Sequence, residues 1–223
     1  MENLYKTYLN EITKIINDEN TRCIFLVGSS KRYNLEKEID KINDIDLFII
    51  SDIDEKQIRN IKKVNNIDFD INYFGKDNLN EFIDNKVYFF LKEMKNPKVI
   101  YDKYNESSEL ISLCKHNYLK GPKKISKLEK LKLKEDLILK LENLKDNAKF
   151  SEFEYNFLTN LYLKDIIIGY FIVNDRWIPK DKKLLREIKK EDKNIYKLIE
   201  KLLKDYKYED LLSIYDYIFK DLI

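Results

Sequence analysis

The sequence predicts an α+β protein, in which an α/β half carrying a small sheet precedes a half built only of helices. Three observations predict it. Short apolar runs at residues 23–27 and 45–50, and a strict apolar–polar alternation over 67–74, mark strands in the first hundred residues. After about residue 104, helical spacing dominates to the end. Four glycines and three prolines in 223 residues favour long helices and short connections. The expected division is an α/β domain over 1–104 and a helical domain over 105–223.

Taken in order, Leu4, Tyr8, Ile12, Ile15 and Ile16 recur at helical spacing and place an amphipathic helix within residues 1–20. The run from Cys23 to Val27 stops at Gly28, as a buried strand does. Residues 45–50 form a second strand. Residues 54–63 read as a helix with Asp52 or Asp54 as its N-cap. In the alternating stretch, Ile67, Phe69, Ile71 and Tyr73 share one face, and Asp68, Asp70 and Asn72 the other. Val99, Ile100 and Tyr101 make a last short strand after Pro97. Helices are expected over roughly 106–118, 126–147, 151–173, 180–189, 194–204 and 208–222.

Composition narrows the function. A hydrophobic content of 43% with 13% aromatics excludes a disordered chain. The net charge of +2 lacks the basic footprint of a dedicated DNA binder. Cys23 and Cys114, in apolar contexts without CxxC spacing, read as reduced core thiols. The single histidine, His116, reads as partly buried and hydrogen-bonded. It argues against a His-rich zinc site and a Ser-His-Asp triad, which leaves carboxylates as the expected chemistry. No targeting segment is expected. The apolar stretch 166–173 falls well short of the ~20 residues that span a bilayer. A soluble, cytoplasmic protein without a membrane partner is the expectation.

Asp44 and Asp46 head an apolar strand. Residues i and i+2 of a strand share a face, so two carboxylates stand side by side and repel unless a cation neutralises them. For an all-oxygen site that cation is Mg²⁺. If the strand bearing Asp68 and Asp70 neighbours the first, three or four carboxylates converge. That arrangement suits two ions ~3.5–4 Å apart. Otherwise, Asp68 and Asp70 form the solvated face of an edge strand. Gly28, Ser29 and Ser30 follow the first strand directly. Glycine allows close backbone approach, serines cap a following helix, and Lys31 and Arg32 add positive charge.

This combination resembles the DNA polymerase beta-like nucleotidyltransferase superfamily: an apolar strand, Gly28-Ser29, a helix-sized gap, Asp44-x-Asp46, then a later aspartate. The nearest group is the bacterial aminoglycoside-type enzymes with a C-terminal helical domain. The resemblance implies a mixed-sheet nucleotidyltransferase domain, two Mg²⁺ held by Asp44, Asp46 and a third carboxylate, and a triphosphate held at the Gly28–Ser30 turn. Asp70 is the first choice for the third carboxylate and Asp68 the alternative. Arg32 sits where many members carry a basic residue. Arg32-Tyr33 and Asn43 depart from the Arg-Gly and Ser found in many members. A fainter match over Asn174, Trp177, Pro179 and Lys182 implies that Lys182 reaches the triphosphate.

The implied reaction moves a nucleoside monophosphate, AMP from ATP, to a small-molecule hydroxyl such as an antibiotic, with release of pyrophosphate. Two alternatives stand beside it. One is a protein or RNA acceptor, suggested by the lysine-rich stretch 115–134. The other is a catalytically degenerate nucleotide-binding or interaction protein that retains the fold without turnover. Oligomeric state, base preference and the general base are not legible.

Overall fold

A computed structural model describes residues 4–42 and 44–222. Met1 and Asn43, which entered the sequence reading, lie outside them. The chain divides into two compact units, Met1–Lys120 and Gly121–Ile223.

The first unit contains α1 (Leu4–Ile16), β1 (Thr21–Val27), α2 (Leu35–Glu38), β2 (Asp44–Ser51), β3 (Gln57–Val64), β4 (Ile67–Gly75), α3 (Leu79–Asp84), α4 (Tyr88–Met94), β5 (Lys98–Asp102) and α5 (Ser107–Leu119). The five strands form one sheet in the order β3-β4-β2-β1-β5. β2 and β4 run parallel, and the other pairs are antiparallel, so the sheet is mixed.

Alternation in the strands decides which face each side chain takes. Ile45, Leu47 and Ile49 of β2 join Ile67, Phe69 and Ile71 of β4 and Ile24 and Leu26 of β1 in one buried cluster. Tyr8, Ile12 and Ile15 of α1, with Leu35 and Ile39, cover it. Burying each such side chain stabilises by roughly 1.5–3 kcal/mol, which pins the register of the sheet. The opposite face is apolar along only part of its length. There Phe48 and Phe74 meet Phe82 of α3 and Phe90 of α4, with Phe74 centroids 5.2 Å and 4.9 Å from the two helix rings. The remainder of that face carries the aspartates.

Four sequence expectations are corrected here. Residues 57–64 are a strand, not a helix. Asn65 and Asn66 both take positive φ, 48° and 67°, as a two-residue primed hairpin turn requires, and close Val64 onto Ile67. The turn lacks the usual glycine, and Ile58 and Ile61 are spaced like a helix face. The second correction concerns α5, which belongs to the first unit. Asp102 at the end of β5 accepts the backbone N–H groups of Glu106 and Ser107 at 3.1 and 3.0 Å, capping α5. Lys86 donates to the Asn117 backbone and side chain, and Lys95 sits 3.6 Å above the Tyr118 ring. The break falls at Gly121, whose φ is +82°. β4 is likewise an interior strand, so Asp68 and Asp70 do not lie on an edge. His116 is exposed rather than partly buried.

The second unit is all-helical: α6 (Lys127–Leu144), α7 (Glu152–Val173), α8 (Leu184–Glu191), α9 (Lys193–Asp205) and α10 (Tyr208–Phe219). Ser126 with Glu129, and Ser151 with Glu154, form capping boxes that start α6 and α7. Leu141, Ile166, Ile188, Leu202 and Ile214 sit at its centre. Within the 115–134 stretch, Lys130 is bound to Asp175 and the Val173 carbonyl, and Lys134 to the Leu222 carbonyl. No described helix is long and apolar enough to cross a membrane.

Both thiols are free and fully buried, and burial pushes each up to about 12. An unfolded cysteine titrates near ~8.5. The raised folded value stabilises the protein below that pH, and the contribution is lost as pH rises towards about 12. Ellman's reagent at pH 8 is therefore expected to leave both thiols unmodified in the native protein and to titrate two thiols after denaturation. Rapid native labelling would contradict the packing described.

Candidate active site

The parallel ladder pairs Asp44 with Asp68 and Asp46 with Asp70. All four share one sheet face because each pair is two residues apart on its strand. The result is a two-by-two array of carboxylates. Asp46 and Asp70 are half-buried, and Asp44 and Asp68 are exposed. Asp68 has Lys63 at 3.9 Å.

β1 brings the glycine turn against this array, because Val27 pairs with Asp46 and Gly28 follows. Gly28 has φ +68°, and a Cβ there would overlap the Asp46 Oδ2 and come within 2.8 Å of its Cγ. Only glycine fits that conformation and that approach. The Gly28 N–H donates to Glu93 Oε2 of α4 at 3.0 Å, and Lys31 Nζ lies 3.6 Å from the same oxygen. Neighbouring side chains differ from expectation. Ser30 is fully buried and donates back to the Val27 carbonyl at 3.3 Å. Ser29, just before the single 3₁₀ turn Ser30–Arg32, and Arg32 at its end are both exposed. Neither serine caps an α-helix. Asn34 caps α2 instead, by accepting the Glu36 N–H.

Asp70 has a partner that sequence reasoning missed. Arg59 of β3 forks it, with Nε to Oδ1 at 2.9 Å and Nη2 to Oδ2 at 2.6 Å. Asn72, buried two residues along β4, donates to the same Oδ1 at 3.1 Å and accepts from Gln57 at 2.7 Å. The hydrogen bonds and charge of Asp70, with the charge of Asp46 added, hold the Arg59 proton more tightly than in an ordinary arginine. Arg59 was hidden because its segment was read as a helix, and Glu93 because it belongs to no motif.

The donor set is hard oxygen throughout, which suits Mg²⁺ rather than a softer ion. Backbone register puts Asp46 and Asp70 side by side, with glycine leaving room at Asp46. Among the described residues, no three His, Cys, Asp or Glu side chains close on one point as a metal site. Asp70 is turned onto Arg59, which supplies a positive charge to the array. The predicted pairs are thus together in the backbone, while the side chains stand in an ion-paired arrangement. Lys182 lies in the second unit, exposed, on the 3₁₀ turn Asp181–Lys183. Asn174 follows the last residue of α7, and its side chain donates to the Tyr170 carbonyl at 2.8 Å.

Replacing Gly28 by Ala forces an L residue into the left-handed region and drives its Cβ into Asp46. A loss of about 1–3 kcal/mol is expected in urea unfolding. An unchanged midpoint would show that the close approach is not present in solution.

No family model matches the sequence, and no curated protein matches it. Among solved structures, it is similar to a nucleotidyltransferase-like protein from Exiguobacterium sibiricum 255-15. Identity is 12%, with a TM-score of 0.51 over 98% of this chain and 75% of that one. The chain therefore has a nucleotidyltransferase-like α+β fold.

Proposed function

We propose that this protein transfers a nucleoside monophosphate from a nucleoside triphosphate to an acceptor hydroxyl. The observation that carries the reading is the in-register pairing of Asp46 with Asp70 beside Gly28. Two adjacent carboxylates on a partly buried face are costly unless a cation joins them. The nucleotidyltransferase-like fold supports a chemistry in which that cation arrives with a triphosphate.

Asp44, Asp46 and Asp70 are the proposed metal ligands, with Asp68 as the alternative to Asp70. When bound, Mg²⁺ would neutralise charge on the phosphates and on the attacking oxygen. Gly28 would offer its backbone N–H to a phosphate oxygen, and Lys31 its ammonium. Ser29 and Arg32 are exposed on the same turn and available to the phosphates, whereas Ser30 serves the turn itself. Lys182 is carried in this proposal by the family resemblance alone. In the transfer, the acceptor hydroxyl loses its proton to solvent, its oxygen bonds to the α-phosphorus, the bond from that phosphorus to the α–β bridging oxygen breaks, and pyrophosphate leaves. Arg59 must give up Asp70 for that carboxylate to turn to a metal. The expected donor is ATP, and the expected acceptor is a small-molecule hydroxyl.

One observation favours a macromolecular acceptor as a second reading. Phe153, Phe157 and Leu161 form a stripe on α7, exposed by 81%, 57% and 43%. A single apolar residue on a surface is ordinary, but three at helical spacing suit a protein-sized partner.

A thermal-shift panel of each nucleoside triphosphate, with and without Mg²⁺, tests the reading. A ligand at ~100 times its dissociation constant stabilises by ~2.7 kcal/mol, roughly 5–10 °C for a chain of this size. A shift of that order is expected with Mg²⁺ in the native protein and should disappear in Asp46→Asn. No shift with any triphosphate would leave an interaction protein without nucleotide chemistry as the better account. Labelled ATP incubated with cell extract then separates acceptors: label in small molecules supports the first reading, label in a macromolecular band the second.

A further inference from the structure

The Gly28 N–H and the Lys31 ammonium are anion donors, and both already hold an anion from this chain. Glu93 Oε2 takes the N–H at 3.0 Å and lies 3.6 Å from Lys31 Nζ. This placement is electrostatically odd. Gly28 lies against the Asp46 carboxylate, and a second carboxylate beside it is repelled. Only a local preference for negative charge offsets that repulsion, and the amide and ammonium supply it. Glu93 also stands on a fixed base. Phe90, Leu91 and Met94 of α4 are fully buried around it, and Phe90 packs on Phe74 of the sheet. The Glu93 side chain is only partly buried. The Glu93 side chain is 26% exposed and that of Lys31 18%, so the carboxylate can swing out without unpacking the helix.

We infer that Glu93 is a built-in competitor for the phosphate position, a carboxylate standing where a phosphate oxygen of the triphosphate binds. The inference rests on the proposed triphosphate site and adds its control. A triphosphate must displace Glu93 before it can use Gly28 and Lys31. The site is therefore open only in the fraction of molecules in which Glu93 has swung away, and apparent affinity falls by that fraction. Glu93 sets affinity and touches no reacting atom.

The test uses inorganic tripolyphosphate and ATP, titrated calorimetrically into the full-length chain with and without Mg²⁺. Compared with the native protein, Glu93→Gln and Glu93→Ala are expected to bind tripolyphosphate about tenfold more tightly. Lys31→Met should bind it more weakly. Selective ¹⁵N-glycine labelling supplies a readout independent of activity, because the chain has only four glycines. The Gly28 amide resonance should move in Glu93→Gln and move again on adding tripolyphosphate, while Gly75, Gly121 and Gly169 hold still and report an intact fold. Equal or weaker binding by the Glu93 variants, with the native protein still binding, overturns the competitor and leaves the triphosphate site standing. No binding of either ligand by any variant removes both.

Discussion

The candidate site depends on one register, that of the parallel pairing between β2 and β4. With Asp44 opposite Asp68 and Asp46 opposite Asp70, four carboxylates occupy one corner of a sheet face. The aspartates do not choose this register, since like charges set side by side oppose it. It is set by the other face, where Ile45, Leu47 and Ile49 lie beside Phe69, Ile71 and their neighbours under α1. A slip of one residue would turn those side chains into solvent and the carboxylates into the core. The apolar underside thus holds the charged side in an arrangement that it would not adopt alone.

The charge so concentrated is balanced from within the chain. Arg59 forks Asp70, and Glu93 occupies the Gly28 amide with Lys31 beside it. The Arg59 side chain is 56% exposed, so water can take over its hydrogen bonds when it leaves Asp70. In the proposed function a divalent cation would take its place. On the proposed function, Arg59 holds the place of a cation at Asp70, and Glu93 the place of a phosphate at Gly28. Asn72 is different. Buried, and tied to both Gln57 and Asp70, it orients the Asp70 carboxylate from within the sheet.

Much of this was legible in the sequence, and the parts that were not share a cause. The strands around Phe25, Phe48 and Phe69 announced themselves by apolar runs and alternation, and Gly28 by its place at the end of the first. The aspartate pairs could be assigned to one face from spacing alone. Their adjacency could not, because strand order is a long-range property. β3 does not look like a strand in sequence, because its isoleucines are spaced by three and its turn is Asn65-Asn66, without glycine. The same spacing hides Arg59. Glu93 lies 65 residues from Gly28 in sequence, and nothing local marks it. Ser30 looked like a helix cap and is a buried strut of its own turn. α5 was assigned to the helical half on periodicity, which does not report that Asp102 and Lys86 tie it to the first unit.

The most direct test of the account is a crystal structure of the protein with Mn²⁺ and a non-hydrolysable triphosphate, read by anomalous scattering. The account requires a manganese peak between Asp46 and Asp70, with Arg59 withdrawn from Asp70 and a phosphate oxygen on the Gly28 amide. A structure with triphosphate bound elsewhere, or with Arg59 still forking Asp70 and no peak beside Asp46, would contradict it.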